Sequence, residues 1–210
     1  MRPLIFLVVV FLAAFSAAFA QTDEPGAAAN QSLLQLHKLT TEQHYKVLGF
    51  ASREEVASAT LGEPITVYMV QLDQLQKYKA GNDPNLLLKA TNETIFPVIA
   101  KGIVRSSIVT VKGKEGWEAK KYGGSNSVKL LAKVRKDISD STRSPVSSFF
   151  SVKVPALNLV FIARRAENVL LLTPVFDDPS MGLKSGSTIP ATEVFSKLAS
   201  FAREHDGSPR

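Results

Sequence analysis

The chain contains no cysteine. That absence excludes a disulfide framework, a thiolate nucleophile, a zinc–thiolate centre and the lipid-modified cysteine that tethers a bacterial lipoprotein. Histidine is scarce as well, with only His37, His44 and His205. Seven residues apart on one helix, His37 and His44 would stand roughly 10.5 Å from each other, too far to share a metal, and all three read as surface residues. The chain also has no Gly-x-Ser-x-Gly elbow, no Ser-x-x-Lys motif with its partners and no His-Glu-x-x-His, so the common hydrolytic signatures are missing. The Gly182–Ser187 stretch resembles a phosphate loop, but only three residues separate Gly182 from Gly186 and no Lys-Ser/Thr pair follows. Nothing calls for a cofactor or a metal.

A long apolar run is lacking too. Leu4 to Phe15 is apolar almost throughout, about a dozen residues against the roughly twenty that span a bilayer. Preceded by Met1-Arg2 and followed by Ala18-Phe19-Ala20, it has the form of a signal peptide (residues 1–20) cut before Gln21. The expected product is therefore secreted or periplasmic, with no stable membrane span after processing. Freedom from cysteine favours a bacterial envelope over an animal extracellular fluid. Asn30 and Asn92 carry glycosylation triplets that would matter only in a eukaryotic route.

Without the leader, 190 of the 210 residues remain, enough for a sizeable core held by packing alone. Only Arg2 of the 25 basic residues falls in the leader, which leaves 24 against 19 acidic residues, a net +5. Ten of those cations lie between Lys101 and Lys136 against Glu115 and Glu118 alone. The segment is +8 and the remainder −3, a split that predicts a basic face drawn to an acidic polysaccharide, an envelope protein or another anionic ligand. Nucleic acid is not expected for an exported chain of so small an excess.

Residues 21–32 have little apolar bulk and read as a flexible lead to a single α+β domain over 33–206, divisible, if anywhere, near 140–146. Thr40 with Gln43 and Ser52 with Glu55 have the spacing of reciprocal helix caps, with Gly49 and Gly62 as stops. Pro64–Leu72 is a strand, Asp73 caps a turn of helix through Tyr78, and Asp83-Pro84 opens another helix. Strands over 94–100, 103–112 and 117–122 form a meander with turns at Lys101-Gly102 and Lys112–Gly116. A helix follows from Ser125 to Ile138, with Val128, Leu131, Val134 and Ile138 inward and Lys129, Lys133 and Lys136 outward.

Strands over 148–154, 157–163 and 169–175 come next, the last two apolar on both faces, with a polar turn at 164–168. A loop spans 177–187. A final helix begins near Pro190, capped by Thr188, and carries an exposed Glu193–Lys197 pair. The fold class is thus α+β, a largely antiparallel sheet built from meanders with flanking helices and a βββα pseudo-repeat.

The strongest binding candidates are Lys112, Lys114, Trp117, Lys120, Lys121, Tyr122, Lys129 and Lys133, where aromatic faces stand among cations suited to sugar rings or anionic chains. Gly123-Gly124-Ser125 is a second anion site, because the amides at a helix start point outward. No residue set is catalytic by pattern, and the sequence reads as an exported accessory binding protein. The alternative is an extracytoplasmic hydrolase drawing on Asp177, Asp178 and Ser185 with a histidine, or a calcium site formed by Asp177, Asp178 and Glu193.

Overall fold

A computed structural model of the chain describes residues 24–40 and 44–204, so the leader and its cleavage site lie outside the described residues. Among the described residues nine strands form one mixed sheet, flanked by five α-helices. The strands are β1 (Thr60–Leu61), β2 (Ile65–Met69), β3 (Lys89–Ala100), β4 (Ile103–Gly113), β5 (Gly116–Tyr122), β6 (Phe150–Val154), β7 (Leu159–Ala166), β8 (Val169–Pro174) and β9 (Ile189–Pro190). The lateral order is β5-β4-β3-β2-β6-β7-β8-β9, with β1 also paired to β3. Every pairing is antiparallel except β2 with β6, which joins the two meanders.

The hairpins follow turn chemistry. Lys101 and Gly102 link β3 to β4, and Glu167 and Asn168 link β7 to β8, all four with positive φ, the backbone that a two-residue turn needs to match strand twist. Strand ends run further than composition indicates: β3 begins at Lys89 and β7 continues to Ala166, because ladder bonds to neighbouring strands hold polar residues in extended form.

The helices are α1 (Pro25–Leu39), α2 (Arg53–Ala57), α3 (Leu72–Lys77), α4 (Ser125–Thr142) and α5 (Ala191–Glu204). From Pro25 onward the expected flexible lead is helical. Ala28 is buried, Ala29 and Leu33 are buried against Phe96, Val98 and Ile108, and α1 forms on the high helix propensity of alanine and on side chains small enough for close approach to the sheet. Asn30 and Asn92 are exposed. Thr40 closes α1 rather than opening a helix, since its amide and hydroxyl both donate to the Leu36 carbonyl. Gln43 lies outside the described residues, and 44–49 form a turn.

Ser52 does cap α2, accepting from the Glu55 amide, while the Glu55 carboxylate accepts from Ala51 N at 2.9 Å, one residue earlier than a capping box would have it. Gly62 is not a helix stop. It packs against β3, where an added Cβ would meet Ile99 Cδ1 at 2.9 Å. Asp73 falls inside α3, whose cap is Gln71. Asp83 accepts from Asn85 N as expected, but Pro84–Leu87 makes only a 3₁₀ turn.

The two faces of the sheet are covered unequally. Phe96, Val98 and Ile108 pack under α1 and α2, and Val152, Phe161, Leu170 and Leu172 pack under α3 and α5 on the same side. On the other side Ile65, Ile162 and Val175 meet α4 alone, through Leu131, Val134 and Ile138. β7 is therefore buried on both faces. The order strand-strand-strand-helix recurs, yet α4 and α5 lie on opposite faces, which lends no support to a duplication. Thr188 does not cap α5: its hydroxyl pairs with that of Thr173 at 2.8 Å, and β9 intervenes. Lys197 turns from Glu193 toward Gly182.

Candidate functional site

The eight residues singled out by sequence do not share a surface. Lys112 opposes Trp117 across the β4–β5 ladder, on the α1 side with Ala119 and the exposed Tyr122. Lys114 sits in the turn, and Lys121, opposite Val109, projects to the α4 side. Lys129 and Lys133 ride on α4. Three of the charges are engaged: Lys120 with Glu118 at 2.7 Å, Lys121 with Glu93 at 3.5 Å and Lys133 with Asp137 at 2.6 Å. The alternation of strand side chains separates what the sequence groups. Beside Tyr122, the turn over 44–49 and the carboxyl half of α1 border an apolar groove of about 510 Å³ that includes Leu36, His44 and Val47.

A larger cavity, about 580 Å³, opens between the amino end of α4 and the sheet, within the range typical of small-molecule sites. It exists because α4 alone covers this side. Where Leu131, Val134 and Ile138 seat on large apolar residues the contact closes, but nearer its start α4 presents Ser127 and Val128 over a floor in which the small Ser107 and Ser151 alternate with Ile95 and Val109, and the gap stays open. Leu131, Leu159, Val160, Phe161, Val175 and Phe176 extend the apolar walls, and Asn158 adds a polar side chain.

Polar groups enter this cavity at defined points. Ser107 anchors the start of α4: its amide and hydroxyl donate to Gly123 O at 3.0 and 2.7 Å, and Gly123 N donates back to Ser107 O at 3.1 Å. Gly124 is the N-cap, at φ 67°, a left-handed backbone natural to glycine. As a glycine, Gly124 brings no capping side chain to the first amides of α4, and the first turn carries no acidic residue. From β6, Ser151 and Lys153 project to the same side. Ser151 is fully buried, and its hydroxyl has no hydrogen-bond partner among the described residues. Lys153 donates to Glu93 Oε2 at 3.2 Å. Burial works to raise the Glu93 carboxyl, but Lys153 and Lys121 outweigh it and hold it below its ordinary 4.5.

The 177–187 loop closes the far end, and its acids serve its own backbone. Asp177 accepts from Ser185 N at 2.7 Å, Asp178 accepts from Ser180 Oγ and Met181 N, and Ser185 Oγ donates to Val175 O. Met181 and Leu183 plug the core. Among the described residues no histidine lines the cavity, and Ser185 is not on its wall. His37 and His44 lie on the α1 side and not on one helix, since α1 ends at Leu39; His205 lies outside the described residues. Glu193 is on α5, across the sheet from the cavity. Among the described residues no group of three or more His, Asp or Glu is placed to hold a metal ion, and no helix is long and apolar enough to cross a membrane.

Sequence reasoning found the amino end of α4 and the two aspartates but missed Ser107, Ser127, Ser151 and Lys153. The signal was present in Phe150-Ser151-Val152-Lys153-Val154, where polar residues alternate through an apolar strand and so mark one face. No family model, curated protein or solved structure matches this chain.

Proposed function

We propose that the protein is an exported accessory domain that binds a small ligand without transforming it, and that the ligand lies in the cavity between α4 and the sheet. The observation that carries this reading is the buried, unpartnered Ser151 hydroxyl among the side chains that line the cavity. A buried hydroxyl with nothing to bond costs about 1–3 kcal/mol, which an occupant with a polar group repays. The ionisable side chains lining the cavity are Lys153, Asp177 and Asp178, and each already has a partner within the protein. That favours holding a ligand over acid–base work on it. The anionic-ligand class expected from sequence is retained, while its seat moves from the lysine surface to the cavity.

The neutral dye N-phenyl-1-naphthylamine, which brightens in apolar surroundings, tests the reading. The dye is expected to bind at one site, and Val109→Trp, which fills the cavity, is expected to abolish the signal. Loss of the signal in Val47→Ser instead would put the binding in the groove beside Tyr122 and overturn the assignment. Export is tested separately by intact mass: the product recovered outside the bacterial cytoplasm is expected to begin at Gln21.

A further inference from the structure

We infer that the occupant of this cavity is an anionic amphiphile, one acidic head group on an apolar chain; the inference rests on the binding role proposed above and names its ligand class. Ser151 and Lys153, two residues apart on one face of β6, favour a negative head there. The start of α4, anchored on β4 three strand spacings or roughly 14 Å away, has glycine at its cap and no acid in its first turn, so its dipole adds a positive field to the same cavity from a distance. The Ser151 hydroxyl, fully buried and unpartnered, is free to donate. Lys153 shares the single Glu93 carboxylate with Lys121, two ammonium groups to one carboxylate, which leaves a net positive charge beside the cavity.

The rest of the wall defines the other end of the ligand. Ile95, Val109, Val128, Leu131 and Val160 offer an apolar stretch suited to a hydrocarbon chain, with Ser107, Ser127 and Asn158 as the remaining uncharged polar side chains of the wall. Asp177 and Asp178 follow β8, across the sheet from the Ser107 strand. β8 lies two strand spacings from the β6 residues Ser151 and Lys153, roughly 10 Å at 4.8 Å each. The acids therefore oppose a second anionic group at that end, and the cavity fits a molecule with one acidic head rather than a diacid or a polyanion.

Decanoate, decanol and decylammonium, equal in chain length and used below their micellar concentrations, separate head from tail when titrated against the bound dye. Decanoate is expected to displace it at a concentration about tenfold lower than either of the others, the scale of one charge-assisted hydrogen bond. Ser151→Ala, nearly unchanged in volume, is expected to weaken decanoate several-fold and leave decanol alone. Lys153→Met should do the same, with the urea transition confirming that both variants fold. Equal displacement by decanol and decanoate would overturn the acidic head while leaving the cavity as a binding site. Dye binding with no displacement by any ten-carbon compound would overturn the amphiphile class, and failure of the dye to bind would overturn the inference together with the function beneath it.

Discussion

Lys153 on β6 reaches over β2 to place its ammonium 3.2 Å from Glu93 on β3. The pair spans the one parallel junction of the sheet and ties the two meanders together beside the cavity. Glu93 also holds Lys121, so one carboxylate restrains two cations. Glu93→Gln is expected to release Lys153 and to tighten decanoate binding a few-fold. Dye displacement measures this directly, and unchanged affinity would mean that Lys153 takes no part in recognition.

Acid should loosen the fold through Glu55. Donation from Ala51 N and from Arg105, whose Nη2 lies 2.8 Å away, holds this carboxyl below its ordinary value of 4.5 against the opposing effect of burial. A carboxyl depressed in the folded state stabilises fully above its unfolded value, and that contribution disappears as pH falls through the folded one. The melting temperature is therefore expected to drop on acidification below about pH 4.5, to which the depressed Glu93 adds. Glu55→Gln should melt earlier at pH 7 and fall less steeply in acid. A variant curve parallel to the parent's would contradict this.

Arg135 is a buried cation without an acid in contact. Its guanidinium donates instead to three carbonyls, those of Val146, Glu63 and Pro64, at 2.8–3.0 Å. Burial pulls its pKa down to about 10, with Glu63 acting in the opposite direction. Arg135→Met leaves three acceptors without a donor and is expected to cost about 3 kcal/mol or more in a urea titration, at 1–3 kcal/mol for each buried unsatisfied group. A loss under 1 kcal/mol would show that water reaches those carbonyls.

Leu198 is fully buried on α5 among Val194, Phe195 and the β7–β8 side chains. Leu198→Ala is expected to cost about 2–5 kcal/mol, read from the urea midpoint at unchanged slope. Dye affinity should stay unchanged at low denaturant, because α5 and the cavity lie on opposite sides of the sheet.

Some of this was fixed by residues acting over short range. The hairpins turn at Lys101-Gly102 and Glu167-Asn168, where Gly102 and Asn168 accept the left-handed backbone readily and Lys101 and Glu167 are held in it beside them. The inward stripes of α4 and α5 recur every three to four residues whatever lies beneath them, and Leu159–Ala163 reads as two-faced because it is apolar at successive positions. The alternation of β and α segments was enough for the fold class. Local rules misled where a partner far along the chain offered more: Thr188 gave up a helix cap for Thr173, and the alanines after Pro25 became helix once a sheet surface stood ready to bury them.

The site itself belonged to tertiary structure. Lys112, Lys121 and Lys133 are neighbours in composition but are sent by the pleat and the helix to different surfaces, whereas Ser107, Ser151 and Lys153, scattered over dozens of residues, line one cavity because β4 and β6 turn alternate side chains toward the same face. A periodic pattern tells which residues point together within one element. Only the order of strands and the face each helix covers decide which elements share a space, and those depend on pairings between residues as distant as Val67 and Ser151.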